Sequence, residues 1–174
     1  QVILVRIEGQ NHARSLTFSC FHNHAFLRSQ RSCQWLVDAL IQARLRHGLH
    51  LWAWVAMPTH VHLLIYPPNE QCRIGPILSS IKQSVTKRAI AWTRQHAPEG
   101  LHVMVDATPT GHVALRFWQR GGGYDRNIFT PEAVRSEIAY IHANPVRGGL
   151  CARPEDWEWS SAESTFAPGR ADLD

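Results

Sequence analysis

Two histidines separated by one residue, His60 and His62, are the side chains whose spacing points most directly to chemistry. From Val61 to Tyr66 the chain is apolar, β-branched or aromatic, which is the composition of a strand. Side chains two apart on a strand share a face, so the two imidazoles stand together while Val61, Leu63 and Ile65 point the other way. Each neutral ring carries one donor and one acceptor, so an isolated buried pair needs separate partners. One divalent cation satisfies both acceptor nitrogens at once. The pattern also occurs on ordinary strands, and by itself leaves both readings open.

A second pair lies about eighty residues later. Tyr140 and Asn144 are four apart in a helical pattern and share a face. Taken alone, they read as a half-buried packing residue and a helix-terminal amide. The charge is uneven as well. Eight basic residues stand against three acidic ones between Arg73 and Arg126, within a chain of net charge +4. A basic segment of this kind favours an anionic partner such as nucleic acid. Lys82, Lys87 and Arg88 fall outside the apolar stripe of their helix, where they serve either solubility or phosphate contact. Gly121–Gly123, between Arg120 and Arg126, is backbone that can approach a ligand closely, or a flexible link.

These residues need elements to position them. Alternation over Leu16–Phe21 predicts a first strand, followed by a polar turn at His22–His24. Ser32 is read as an N-cap for a helix carrying Trp35, Leu36, Ala39, Leu40, Ala43 and Leu45, which His47-Gly48 ends. Leu49–Val55 is a second strand. Met57-Pro58-Thr59 turns the chain into the histidine strand, making the two antiparallel neighbours. Ile74, Ile77, Leu78, Ile81, Val85, Ala89 and Trp92 describe a long amphipathic helix. Leu101–Val105 and His112–Phe117 read as a β-excursion around a turn. Thr130 caps a closing helix with Pro131 at its first position and Val134, Ile138 and Ile141 on its packed side. Pro145 is expected to stop that helix near Asn144. Trp157, Trp159 and Ser160-Ser161 read as a tail anchored by tryptophan, with fraying from Pro168 to Asp174. Val2–Ile7 is a short strand or a tail. This order fits a ferredoxin-like α/β (α+β) sandwich with a central antiparallel sheet.

With 174 residues, 44% of them hydrophobic, the chain suits one domain with a sizeable core. Cys20, Cys33, Cys72 and Cys151 form no Cys-x-x-Cys pair and read as buried thiols in a reducing cytosol. No window approaches the run of about 18 apolar residues a membrane span needs, and no signal peptide is visible. A cytoplasmic location without membrane association is expected.

Taken together, separated blocks in fixed order resemble the IS200/IS605-like transposases, in particular the REP-associated tyrosine transposase branch of the HUH nucleases. The blocks are Trp54–Leu64 with its Met-Pro-Thr-His-Val-His core, Phe117-Trp118-Gln119 with Tyr124-Asp125-Arg126, Tyr140–Leu150 with Tyr-Ile-His-Ala-Asn-Pro, and Trp157–Ser161. The resemblance implies a transposase domain over residues 15–150 with an insertion at 101–117. Residues 1–14 would be an N-terminal segment and 151–174 a C-terminal tail. It implies that His60, His62 and Asn144 hold Mg²⁺ or Mn²⁺. Tyr140 would be the nucleophile that cleaves single-stranded DNA through a 5′-phosphotyrosine. The implied partner is an imperfect DNA hairpin of the REP (palindromic) type. The protein would act as a monomer or homodimer, and associate with the bacterial nucleoid when on DNA. Gln119, Arg120, Arg126 and Arg147 join Lys82, Lys87 and Arg88 as expected DNA contacts. Trp118 and Tyr124 are placed either against unpaired bases or in the core. His142 points off the tyrosine's face and is not expected to be a ligand. Rival readings are a metal-dependent phosphoesterase using the same histidines on water, a domesticated or inactive nucleic-acid-binding protein, and a plain structural domain.

Overall fold

The computed structural model describes residues 12–162. The expected strand or tail at Val2–Ile7 and the frayed end from Pro168 lie outside the described residues. The main sheet has four antiparallel strands in the order β2-β3-β1-β6. They are β1 (Ala13–Ser19), β2 (His50–Ala56), β3 (His60–Tyr66) and β6 (Tyr124–Ile128). Helix α1 (Gln30–His47) connects β1 to β2, and α2 (Ile74–His96) leaves β3 for the far edge. This is the ferredoxin-like split βαβ arrangement, with β3 inserted between β1 and β2. A two-stranded ribbon, β4 (Val105–Ala107) and β5 (Val113–Leu115), interrupts the path from α2 to β6. Helix α3 (Pro131–Arg147) closes the fold.

The sheet separates two unequal cores. On one face Leu16, Phe18, Trp54, Val61, Leu63 and Ile65 pack against Leu36, Leu40, Ile77, Ile81 and Val85 of α1 and α2. Each such fully buried aliphatic side chain contributes roughly 1.5–3 kcal/mol of transfer free energy. The face under α3 holds a much smaller cluster: Ala13, Ala53, Val55, Met57, Leu64, Ile128 and Ile141. Strand alternation sends Ser15, Thr17, Ser19, His60 and His62 to this same side. A thin apolar patch beside a polar row is what leaves room for a site.

Several boundaries differ from the sequence reading, each for a local reason. The first strand is Ala13–Ser19, and Phe21–Asn23 turns as a 3₁₀ segment with His22 and Asn23 at positive φ. Ser29, not Ser32, caps α1: its hydroxyl accepts from Ser32 N–H at 3.1 Å. Leu45 is 71% exposed, because the buried stripe runs through Cys33, Leu36, Val37, Leu40 and Ala43. Residues 98–104 form a 3₁₀ segment rather than a strand, since Pro98 opens a turn that buries Met104. The fourth strand of the main sheet is Tyr124–Ile128, where alternation is masked by polar residues. Of the four free cysteines, Cys20 and Cys33 are buried and Cys72 and Cys151 partly so.

Pro145 does not end α3, which continues to Arg147. Proline removes the N–H that the Ile141 carbonyl would have received. The Asn144 side-chain amide donates to Tyr140 O at 2.8 Å and lies 3.5 Å from the Ile141 O that Pro145 leaves without a backbone donor. The tail is anchored as expected. Ala56 N–H donates to Trp159 O, Ser161 N–H to Trp54 O, and Trp157 Nε1 to Ala56 O at 3.0 Å. Residues 159–161 thus lie along the outer edge of β2. Among the described residues no helix is long and apolar enough to cross a membrane.

Candidate active site

The site is built on the cross-strand rows of the face under α3. One row runs Val55, His62, Thr17, Tyr124, and the next Ala53, Leu64, Ser15, Arg126; Ser19 stands opposite His60. His60 and His62 present their rings at 4.9 Å between centroids and nearly perpendicular, at 85°. Each ring is held at Nδ1 by a hydroxyl. Thr17 Oγ1 lies 2.8 Å from His62 Nδ1, and Thr59 Oγ1 lies 3.0 Å from His60 Nδ1. With both Nδ1 atoms engaged, Nε2 is the nitrogen each ring has left for a cation. Such outer hydrogen bonds orient metal-binding imidazoles and raise their basicity.

Burial holds the His62 pKa down to about 4, reinforced by the neighbouring His60, and burial also lowers that of His60. Both rings are therefore neutral at pH 7, the form in which imidazole binds metal. Among the described residues no group of three or more His, Cys, Asp or Glu could hold a metal, so any cation held by His60 and His62 would need a ligand of another type. Asn144 fits that requirement chemically. Its Nδ2 is turned to the helix carbonyls, leaving Oδ1 as an acceptor. Two imidazoles and one amide would make a neutral donor set, of a kind suited to a cation that keeps part of its own water shell.

Helix α3 carries Tyr140 onto this row. The phenol ring meets His62 edge-on, at 5.8 Å between centroids and 85°, and is 42% exposed. Arg147 caps it from the solvent side, with its guanidinium carbon 5.0 Å from the ring centroid. His142 faces away, 2.8 Å from Ser161 Oγ through Nε2, as its helical offset implies.

The remaining expected residues divide into groups. Lys82, Lys87, Gln119 and Arg120 line one open groove of about 390 Å³ between α2 and residues 115–121, on the other side of the sheet. Within it Lys82 donates to Gly121 O at 2.9 Å, and burial lowers its pKa. Gln119 is partly committed, because its side-chain oxygen accepts from His22 N–H. Arg120 donates to Asp106. Arg88 lies outside the groove and pairs with Asp38 at 2.6 Å. Tyr124 shares the His62 row two strands away, about 10 Å across the sheet by ordinary strand spacing. Arg126 is paired with Glu137 at 2.6 Å. Trp118 takes the core place of its two readings, and its expected contact with DNA is set aside. It is 5% exposed, packed edge-on against Phe18 and Phe117, with Nε1 donating to Lys82 O, so it offers no face to a base.

Sequence reasoning missed Thr17, Thr59 and Glu137. Thr17 was findable from strand alternation and Thr59 from its place beside His60. Glu137 gave no signal, because an acidic residue on a helix reads as solvent-facing. Arg116, Gln83 and Thr86, which also line the α2 groove, were missed too.

The fold is an antiparallel sheet with a histidine pair on a central strand and a tyrosine-bearing helix across it. A solved REP-associated tyrosine transposase bound to a REP hairpin matches with a TM-score of 0.73 at 20% identity, over 97% of this chain and 87% of that one. A candidate transposase from Deinococcus radiodurans R1 gives a TM-score of 0.48 at 20% identity, over 82% of this chain and 97% of that one. No protein-family model and no curated protein matches the sequence. The chain thus has the fold of a REP-associated tyrosine transposase.

Proposed function

We propose that this protein is a transposase that cleaves and rejoins single-stranded DNA through Tyr140, at sites marked by an imperfect hairpin. The observation that carries the reading is the placement of the Tyr140 ring against His62, on the row where two oriented, neutral imidazoles stand together. The hairpin partner is taken from the fold neighbour, which was solved with one bound.

In this reading His60, His62 and Asn144 hold Mg²⁺ or Mn²⁺, which when bound offsets negative charge on the scissile phosphate. Thr17 and Thr59 hold the two rings at Nδ1, so Nε2 of each would be the nitrogen offered to the cation. Tyr140 Oη attacks phosphorus, forming the tyrosyl P–O bond as the P–O3′ bond breaks. The phenolic proton goes to solvent and the departing 3′-oxygen takes one up. One phosphodiester has replaced another, so a new 3′-hydroxyl can attack the adduct, expel Tyr140 and rejoin the strand without ATP. Arg147, whose guanidinium lies over the Tyr140 ring, would steady the phosphate against the phenol.

The test is incubation of the protein with labelled single-stranded hairpins from the flanks of its own gene, with Mn²⁺ or with EDTA. A denaturation-resistant adduct that needs metal and vanishes in Tyr140→Phe is expected. Metal-dependent hydrolysis with no adduct would overturn the tyrosine reading in favour of water activation.

A further inference from the structure

The buried stripe of α3 consists of Glu137, Ile141 and Pro145. The first is out of character. A carboxylate only 8% exposed occupies a position whose helical neighbours on the sheet are Val134, Ile138 and Ile141. Burying a carboxylate is costly unless its oxygens are bonded. Here both are. Oε1 accepts from Ser15 Oγ at 2.5 Å, and Oε2 accepts from Arg126 Nη2 at 2.6 Å. Ser15 and Arg126 are cross-strand partners on β1 and β6, so one helix side chain bridges two strands.

A well-packed apolar residue would serve stability as well as such a pair does. A directional clamp adds register. The apolar patch beneath α3 is small, and apolar contacts tolerate a helix sliding or rolling. Two short bonds from a single carboxylate do not. Register matters because Tyr140 lies off the buried stripe, at the edge of the helix. Successive same-face rows of a sheet are about 6.7 Å apart, and three residues of helix rise about 4.5 Å. Fastening Glu137 over the Ser15–Arg126 row therefore sets Tyr140 over the next row, that of Thr17 and His62. The ring is found there. A roll of one residue, about 100°, would carry it off the sheet.

We propose that Glu137 is a positioning residue that sets Tyr140 over His62 by clamping α3 to Ser15 and Arg126. Arg126, which charge alone suggests for phosphate contact, acts as the outer jaw of that clamp. The consequence for catalysis rests on Tyr140 being the nucleophile; the positioning does not.

The test uses the full chain with Glu137→Leu, Glu137→Gln and Ser15→Ala. Proton NMR of the wild type should show cross-relaxation between the Tyr140 and His62 rings. In Glu137→Leu that signal should be lost, while Tm stays within a few degrees. Glu137→Gln, which still accepts from Ser15, should keep part of it. At saturating hairpin DNA and Mn²⁺, the Leu variant should form adduct about 10–100-fold more slowly with unchanged DNA affinity. A merely structural glutamate would alter Tm and leave both readouts intact. An undiminished ring signal in Glu137→Leu overturns the proposal. Absence of adduct in the wild type overturns the nucleophile reading instead, and the ring signal then decides the clamp by itself. Should the Leu variant not fold, the Gln and Ser15→Ala variants carry the same comparison.

Discussion

His62 should make this protein sensitive to mild acid in a way that one substitution removes. The ring is 8% exposed, and its pKa is held near 4 in the folded chain against an ordinary value of 6.5. Above pH 6.5 the ring is neutral folded or unfolded and contributes no pH dependence. Between pH 6.5 and 4 the unfolded chain binds a proton that the folded chain refuses, so stability falls as pH falls. Below about 4 both states are protonated and the contribution levels off. At 1.36 kcal/mol per pH unit, the loss from this group is about 3 kcal/mol across the window. Lowering of the His60 pKa acts in the same direction. The assay is urea unfolding at pH 7, 6, 5 and 4, comparing wild type with His62→Gln. Glutamine keeps an amide near Thr17 and does not titrate. The difference between the two curves cancels carboxylate effects common to both, such as that of Asp38. The wild type should lose about 3 kcal/mol more than the variant from pH 7 to 4. Parallel pH profiles would refute the claim that His62 is buried neutral.

Other expectations follow from single contacts. Thr17→Val removes the hydroxyl on His62 Nδ1 and should weaken Mn²⁺ binding, read by calorimetry, about 10–100-fold. Asn144→Ala removes both amide bonds to the last turns of α3 and should lower stability by about 1 kcal/mol, or 2–4 °C in Tm, besides abolishing metal-dependent adduct formation. Lys87→Glu should weaken binding of single-stranded DNA and reduce the salt slope by about 1. Arg88→Glu, at a residue already paired with Asp38, should change that slope less. Equal effects at the two positions, measured by fluorescence anisotropy at several salt concentrations, would exclude the α2 groove as the path of the strand.

What was legible in the sequence depended on whether local periodicity and local function agreed. The His60–Tyr66 strand, the α2 stripe from Ile74 to Ala89, and the Thr130-Pro131 start of α3 follow from patterns within a few residues, and the structure has them. Tyr124–Ile128 was not legible as a strand because it is a polar edge strand: Asp125 is spent on a buried pair with Arg14 at 2.8 Å and Arg126 on Glu137. Its alternation is written in ion pairs rather than in hydrophobicity. Trp118 is the opposite case, where the sequence left two readings open. An aromatic beside basic residues has the composition of a base-stacking surface, but the bridge between Cys20 and Trp118 draws the indole under the sheet. The stop expected at Pro145 did not occur: α3 runs on to Arg147, with the Asn144 side-chain amide bonded to the Tyr140 carbonyl and 3.5 Å from that of Ile141.

That last point connects the two ends of the site. An asparagine whose amide nitrogen donates to the helix carbonyls has that nitrogen committed to the helix, and so its oxygen turned away from them. The sequence Asn-Pro inside a helix is therefore a way to aim an amide oxygen, as well as a local helix defect. Glu137 works seven residues earlier by the same logic, with both oxygens committed to the sheet. Between them Tyr140 is left partly exposed, with the edge of His62 on one side and Arg147 on the other. The polar groups of α3 are thus partitioned by their bonding: Glu137 and the Asn144 nitrogen are bonded within the fold, while the Asn144 oxygen and the Tyr140 hydroxyl are the groups left for a ligand in the proposed site. If this division holds, Asn144→Asp should be worse than its added oxygen suggests. A carboxylate cannot donate to Tyr140 O and Ile141 O, so it would loosen the end of α3 even as it offered the cation a stronger ligand. Tighter Mn²⁺ binding joined to a lower Tm is the expected result, and a gain in both would show that the amide nitrogen has no part in holding the helix.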